Sequence, residues 1–154
     1  MISQAFCTQA APRMTEIKRS ALVAQPAAVL YQLVLDVERY PEFLPWCSAG
    51  NVLEQTDERQ LATVTIDTKV REIAFTTENT LEPESRVGLR LVDGPFKKLT
   101  GEWRFLPLSD DACKVELDLE FEFSSGALAL AIKPVFSKIA ESMLDAFVQR
   151  ARQI

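Results

Sequence analysis

The sequence predicts an α+β fold in which a curved antiparallel sheet of about six to seven strands wraps around one long C-terminal helix. Apolar and polar residues alternate in short runs through residues 51–123, which is the period of a β-strand. Toward the C-terminus the apolar residues recur every three or four positions, which is the period of an α-helix. No segment rich in glycine or serine divides the 154 residues, so we expect one domain over residues 15–154. Residues 1–14 are expected to be a disordered tail or to precede the true start.

The sequence of the first part of the domain predicts one strand followed by two short helices. Residues 16–23 have the length and mixed polarity of a strand. Residues 27–37 follow Pro26 with apolar side chains at helical spacing, and a proline is tolerated in a first helical turn. Residues 40–46 contain two prolines, which exclude a long helix and favour a short helical turn or a compact loop.

Short polar segments divide the central part of the chain into strands. They lie at residues 57–58, 67–69, 82–84 and 109–111, and such spacing is typical of an antiparallel meander. The clearest strand is 113–123, where apolar residues alternate with lysine and acidic residues, including Glu116, Asp118, Glu120 and Glu122. This pattern indicates one apolar face and one solvated face.

The C-terminal segment is expected to cover that apolar face. Its apolar residues between Leu128 and Val148 form a wide stripe, and charged residues occupy the opposite side. Pro134 lies within the segment and is expected to kink the helix or to mark a fresh helix start.

The composition excludes several classes of function. The chain has no histidine, which removes Ser-His-Asp and Cys-His nucleophiles, histidine general bases and His-ligated zinc. Its three cysteines are far apart, which argues against a zinc ribbon or a disulfide scaffold. The formal net charge of −5 argues against binding to DNA. We therefore predict no catalytic residue, no metal and no required cofactor.

No segment has the pattern of a secretory signal or of a membrane span. The expected location is the cytoplasm, with a transient contact to a membrane surface left open.

Several motifs resemble those of one protein family. They are residues 20–23 (SALV), residues 40–47 (YPEFLPWC), and residues 92–99 (VDGPFKKL) followed by Gly101, Trp103 and Phe105. The tail around Phe136 and residues 143–151 also fits, so the resemblance covers about residues 15–154. The chain is identified as a member of the RatA-like and coenzyme Q-binding branch of the START-like (polyketide cyclase/dehydrase) superfamily. The resemblance implies the helix-grip fold of birch-pollen-type allergens, with a cavity between the sheet and the long helix.

The resemblance implies three alternative functions. The expected one is non-enzymatic binding of a hydrophobic small molecule in the cavity, most of all a polyprenyl quinone such as ubiquinone, in support of respiration. The alternative is a RatA-type ribosome-association toxin that binds the large ribosomal subunit and blocks subunit joining. The third, a polyketide cyclase or dehydratase, rests on fold relatives alone and lacks an evident acidic residue on the apolar faces.

The residues expected to line the cavity are large apolar side chains of the inner faces and of the loop at the cavity mouth. Plain core packing is the competing interpretation. Tyr31 or Arg90 is expected to contribute to orienting a polar head group near the mouth. Phe43 and Trp46 are expected to close the mouth as a lid, with a hydrophobic loop plug as the competing interpretation. Small side chains (Ala62, Ala74, Gly88, Gly101 and Ala140) are expected to leave room. The complete expected set of ligand-binding residues is Tyr31, Phe43, Trp46, Val64, Ile66, Phe75, Leu89, Leu91, Trp103, Phe121, Phe123, Phe136, Ile139, Met143 and Phe147.

The loop of residues 93–98 is expected to contact a partner. A hairpin turn accounts for Gly94 and Pro95. An aromatic residue beside two lysines resembles a surface contact for lipid headgroups or another anionic partner. A basic patch of Lys97, Lys98 and Arg104 is expected to serve the ribosomal alternative. The loop residues of this prediction are Asp93, Gly94, Pro95, Phe96, Lys97 and Lys98.

Overall fold

The structure, a computed structural model, describes residues 14–154, so all of the expected tail except Met14 lies outside the described residues. The chain forms an α+β fold, as the sequence predicted. The elements are β1 (Thr15–Val23), α1 (Ala27–Leu35), a 3-10 helix (Val37–Glu42), β2 (Cys47–Gln55), β3 (Arg59–Asp67), β4 (Glu72–Glu82), β5 (Arg86–Asp93), β6 (Phe96–Ser109), β7 (Ala112–Phe123) and α2 (Gly126–Arg152).

The strands form one curved antiparallel sheet in the order β1-β7-β6-β5-β4-β3-β2. Consecutive strands from β2 to β7 are neighbours, and β1 pairs with β7 from Thr15↔Phe121 to Val23↔Cys113. The four predicted polar segments lie at the turns between strands. Helix α2 packs on β1 and β7 and against α1, which confirms the predicted arrangement of a sheet around a long C-terminal helix.

Helix α2 runs without interruption through Pro134, so the expected fresh helix start is wrong. The Ser125 hydroxyl accepts a hydrogen bond from the Leu128 backbone N–H at 3.1 Å and caps the helix N-terminus. Proline removes one helical hydrogen bond, but Ile132 and Phe136 on either side of it are buried in the core. Packing against the sheet holds the helix together across the proline.

The turn between β5 and β6 requires its glycine. Gly94 has φ of +151°, and a Cβ at this position would lie 2.6 Å from the Phe75 Cβ. The Ser124 backbone N–H and hydroxyl both donate to the Pro95 carbonyl, at 3.0 and 3.1 Å. These bonds fasten the turn to the residues that precede α2.

Candidate functional site

An apolar cavity of about 100 Å³ lies between the inner face of the sheet and the helices. Side chains of α1, the 3-10 helix, strands β3 to β7 and α2 line it. Eight of the residues expected in a ligand site lie on its wall: Trp46, Val64, Ile66, Phe75, Leu89, Trp103, Phe136 and Met143. The ligand contacts of these residues stay a prediction.

The other expected ligand-binding residues lie outside the cavity wall: Tyr31, Phe43, Leu91, Phe121, Phe123, Ile139 and Phe147. Several of them belong to aromatic clusters that fill the space between helix and sheet. The Phe136 ring lies 4.8 Å from the Phe121 ring and 5.7 Å from the Phe123 ring, centre to centre. The Phe147 ring lies 5.1 Å from the Phe43 ring. This packing leaves a cavity well below the roughly 300–1,000 Å³ of sites that enclose drug-sized ligands.

The two side chains expected to orient a head group do not meet in the cavity. Tyr31 packs edge-on against Phe105 at 5.8 Å, and burial raises the pKa of its hydroxyl. Arg90 is exposed and pairs with Glu78 outside the cavity. A contribution of either residue to a head-group contact stays a prediction.

The small residues expected to leave room divide between the two faces of the sheet. Ala62 is buried and lines the cavity. Ala74 is exposed, and a Cβ at Gly88 would meet the Arg86 guanidinium, so these two lie on the outer face. Because they do not face the helix, they add no space there.

Two polar residues on the cavity wall are not among the expected site residues. Thr77 and Asn79 belong to β4, at inward positions that alternate with outward ones, and they lie in line with buried Ile73 and Leu81. The sequence contains a sign of this site, because these two polar residues stand at alternate positions of the strand that otherwise carry inward-facing apolar residues.

These two side chains end a buried chain of hydrogen bonds. Gln60 Nε2 donates to the Leu35 carbonyl at 2.8 Å. Asn79 Nδ2 donates to Gln60 Oε1 at 2.8 Å, and the Thr77 hydroxyl donates to Asn79 Oδ1 at 2.8 Å. Gln60 and Asn79 are 1% and 4% exposed, so the bond to the Leu35 carbonyl and the bond between the two amides are made out of water.

The cavity wall contains no carboxylate, lysine or arginine among the described residues. Tyr40 lines it, but its hydroxyl donates to the Val34 carbonyl at 2.5 Å, and burial raises its pKa far above the ordinary value. The Cys47 and Cys113 thiols do not line the cavity, and burial raises the pKa of both. The wall therefore presents no group suited to proton transfer near neutral pH. No group of described residues could hold a metal ion.

The aromatic ring of the 93–98 loop is not on the surface. Phe96 is 5% exposed and lies 5.3 Å from the Phe136 ring and 4.9 Å from the Phe123 ring. The expectation that Phe96 contacts a partner through the surface is wrong, because the first residue of β6 points into the aromatic cluster. Asp93, Lys97 and Lys98 are exposed.

Two of the three cations of the expected basic patch form ion pairs with acidic residues. Arg104 forms ion pairs with Glu102, Glu116 and Asp118, which neutralise it. Lys98 Nζ lies 3.9 Å from Glu120 Oε1. The acidic residues of β7 thus lie on the outer face, as predicted, and three of them pair with two of the three cations expected to bind a partner, Lys98 and Arg104.

Lys97 instead shares a surface cleft of about 350 Å³ with Lys133 of α2. The cleft lies where β6 and α2 begin and β7 ends, and its wall includes Ser124, Ser125 and Glu122. Neither lysine has an ion pair among the described residues.

The meander places the most acidic turns at one end of the sheet. The turns β2–β3, β4–β5 and β6–β7 share one end and carry Asp57, Glu58, Glu82, Glu84, Asp110 and Asp111. The turn β3–β4, the turn β5–β6 and the start of α2 share the other end, where Asp67, Glu72 and Asp93 lie beside several cations. We call it the basic end because several of its cations form no ion pair in the described part of the chain. Within residues 14–154, its cations without an ion pair are Lys69, Arg71, Lys97 and Lys133.

Within residues 14–154, no helix has both the length and the apolar composition to cross a membrane.

Comparisons with known proteins agree on family and fold. The family described as polyketide cyclase/dehydrase and lipid transport matches residues 23–148. The ribosome association toxin RatA of Vibrio cholerae is 48% identical over 141 residues, which cover 92% of this chain and 98% of that protein. The mitochondrial coenzyme Q-binding protein COQ10 of Drosophila melanogaster is 30% identical over 139 residues, covering 88% of this chain and 57% of that protein.

A similar solved structure is the Zhui aromatase/cyclase from Streptomyces sp. R1128. It superposes with a TM-score of 0.78 at 19% identity, over 91% of this chain and 94% of that one. At this identity the likeness concerns the fold alone.

Proposed function

The chain belongs to the polyketide cyclase/dehydrase and lipid transport family, in the branch that contains RatA and COQ10, and from this membership we propose that it associates with ribosomes. The observation that carries the proposal is 48% identity with a ribosome association toxin over 92% of the chain. In the proposed form the protein binds the large ribosomal subunit and blocks subunit joining, without enzymatic activity. This alternative from the sequence ranks ahead of quinone binding, which the 30% identical COQ10 and a small cavity support less well.

The excess of acidic turn residues at one end of the sheet supports one orientation on a ribosome. Ribosomal RNA presents phosphates, which repel carboxylates and attract lysine and arginine. Because the acidic turns lie at one end of the sheet, we propose that the basic end faces the RNA. Exposed apolar side chains at this end, Val70 and Leu130, are available to a protein surface beside the RNA.

Lys97 and Lys133 are the proposed phosphate contacts. They lie in one cleft, and neither is engaged by a carboxylate in the described part of the chain. The start of α2 adds the partial positive charge of a helix N-terminus. Glu122 in the same cleft and the overall acidity limit the attraction, so we expect few phosphate contacts and a binding that salt weakens.

Sedimentation of purified ribosomal subunits with the full chain tests the proposal. The wild-type protein should co-sediment with the large subunit and lower the fraction of joined ribosomes. The variant Lys97→Glu with Lys133→Glu should lose much of this binding. The slope of log K against log salt should become shallower by about two, because two phosphate contacts are removed.

A control variant distinguishes the effect of changing these two lysines from the effect of changing the net charge of the protein. The variant Lys138→Glu with Arg152→Glu makes the same change in net charge at two exposed positions of α2 away from its start. It should bind more tightly than the cleft variant. Equal losses in both variants would refute the proposed contact, and joined ribosomes unaffected by the wild-type protein would refute ribosome association itself.

A second function, binding of a hydrophobic small molecule, is supported by the apolar cavity and by the COQ10 relative. An enclosed quinone ring with a prenyl tail would need the cavity to widen, and Trp46, whose side chain is half-buried at the wall, is the proposed lid. Mass spectrometry of lipids extracted from the native protein should detect a bound quinone. A reproducibly empty protein would contradict this second proposal.

A further inference from the structure

We propose that the cavity binds a small apolar molecule that carries a hydroxyl group, and that Thr77 Oγ1 accepts a hydrogen bond from this group. The proposal does not depend on ribosome association; it rests on the second proposed function, binding of a hydrophobic small molecule in this cavity, and specifies the chemistry of the ligand. It rests on the direction of the buried hydrogen bonds, on the chemistry of the cavity wall and on the size of the cavity.

The backbone carbonyl of Leu35 fixes the donor-to-acceptor direction of the buried hydrogen bonds. The Leu35 carbonyl can only accept, so Gln60 must direct its amide nitrogen toward it. The Gln60 oxygen then faces Asn79, which must donate with Nδ2. The Asn79 oxygen in turn faces Thr77, which must supply the hydrogen of its hydroxyl. No other orientation of the two amides satisfies every bond.

The consequence is a fixed polarity at the cavity wall. The hydrogen of the Thr77 hydroxyl is committed to Asn79 Oδ1, and the lone pairs of Oγ1 remain for an incoming donor. Asn79 keeps a second N–H beyond the one bonded to Gln60. A ligand hydroxyl can donate to Thr77 and accept from Asn79, whereas a carbonyl can only accept.

The rest of the wall selects for apolar character and small size. Aliphatic and aromatic side chains form most of it, and the Tyr40 hydroxyl is already bonded to the Val34 carbonyl. The cavity of about 100 Å³ compares with the engineered apolar cavity of about 150 Å³ that binds benzene. The ligand, or the part of it that enters, is thus no larger than a single small ring.

Phenol and toluene are suitable probes because they have nearly the same shape and only phenol donates a hydrogen bond. Titration of the full chain by amide NMR gives the dissociation constant and shows whether the shifts lie at the cavity wall. In Thr77→Val, which keeps the shape but lacks the oxygen, phenol should bind about threefold to tenfold more weakly relative to toluene. Thr77→Ser should restore the wild-type ratio.

Two controls make the outcome specific. Thr76→Val removes the neighbouring hydroxyl, which pairs with Thr63 Oγ1 at 2.7 Å rather than with the cavity network, and should leave the phenol-to-toluene ratio unchanged. Benzaldehyde, which accepts but does not donate, should respond to Thr77→Val as toluene does. Thr77→Ala serves in place of the valine variant if that variant does not fold, with toluene again as the reference for shape.

Three results would overturn the proposal. One is the absence of shifts at the cavity wall with phenol and toluene up to their solubility limits. Another is an equal loss of phenol and toluene binding in Thr77→Val, which would assign Thr77 a role in shape only. The last is a loss of benzaldehyde binding in Thr77→Val as large as that of phenol, which would mean that Thr77 donates a hydrogen bond to the ligand instead of accepting one. None of these results bears on sedimentation with ribosomes, so the two proposals fail separately.

Discussion

Asn79 on β4 and Gln60 on β3 are directly paired across the sheet, and their buried amides share a hydrogen bond of 2.8 Å. Replacing either one by leucine leaves polar atoms without a partner in a site closed to water. Gln60→Leu orphans the Leu35 carbonyl and Asn79 Nδ2 at once. We expect each single substitution to lower the free energy of unfolding by about 1–3 kcal/mol.

Equilibrium urea unfolding measures this effect. The double variant Gln60→Leu with Asn79→Leu should cost less than the sum of the single variants, because the orphaned partner is removed as well. Gln55→Leu is the control, since this exposed residue also bonds to Gln60 but keeps access to water. Fully additive costs would contradict a coupled network.

The Phe136 ring limits the size of the cavity. It lies on the cavity wall and also packs against the rings of the aromatic cluster, with Phe96 at 5.3 Å and Phe121 at 4.8 Å. Phe136→Ala should lower the free energy of unfolding by about 3–5 kcal/mol and enlarge the cavity. Toluene should therefore bind more tightly to the variant than to the wild-type protein, as measured by the same NMR titration.

Phe43→Ala is the matched control for this effect. Phe43 packs on Tyr40 and Phe147 but does not line the cavity. Its loss should destabilise the protein without changing the affinity for toluene. Unchanged toluene binding in Phe136→Ala would show that the neighbouring side chains collapse into the space.

The ion pairs of Arg104 on the outer face predict a pH-dependent stability. The Arg104 guanidinium holds the pKa of the Glu116 carboxyl below its ordinary value, and Arg86, then Arg104, lowers the pKa of Glu102. A lowered pKa in the folded state gives stability that is present above the unfolded-state pKa and lost as the pH falls through the folded value. Arg104→Gln should therefore lower the free energy of unfolding at pH 7. The difference from the wild-type protein should become smaller below about pH 4.

Thermal unfolding of both proteins between pH 7 and pH 2.5 measures the difference. Arg71→Gln is the control, since Arg71 is exposed and has no ion pair among the described residues. Its effect should be small and should change little over the same range. A constant difference between Arg104→Gln and the wild-type protein at all pH values would refute the assignment to ion pairs.

The sequence predicts the fold well because periodicity reports which face of an element is buried. The alternation over residues 113–123 matches the buried and half-buried positions of β7 one by one. Pro134 shows the limit of local rules, since the packing of Ile132 and Phe136 outweighs the missing hydrogen bond.

The candidate site is predicted less completely because it depends on which side chains meet. Parity places Phe136 and Phe121 on facing surfaces, but it does not show that their rings touch and fill the space. The pairing of Arg104 with acidic residues of β7 depends on strand register, and the proximity of Lys97 to Lys133 depends on where α2 begins. Thr77 belongs to the inward face by parity, yet its polarity suggests solvent.

The buried cysteines predict slow thiol chemistry in the folded protein. Cys113 is fully buried and Cys47 is 4% exposed, and burial raises the pKa of both thiols. Since the thiolate is the reactive form, both should react with Ellman's reagent at pH 8 much more slowly than in urea. Cys7 lies outside the described residues, so the measurement uses Cys7→Ser as the background. A rapidly reacting thiol in the folded Cys7→Ser protein would contradict this prediction. If adding Cys47→Ala abolishes the rapid reaction and adding Cys113→Ala does not, the segment before β2 opens and exposes Cys47 together with the cavity residue Trp46.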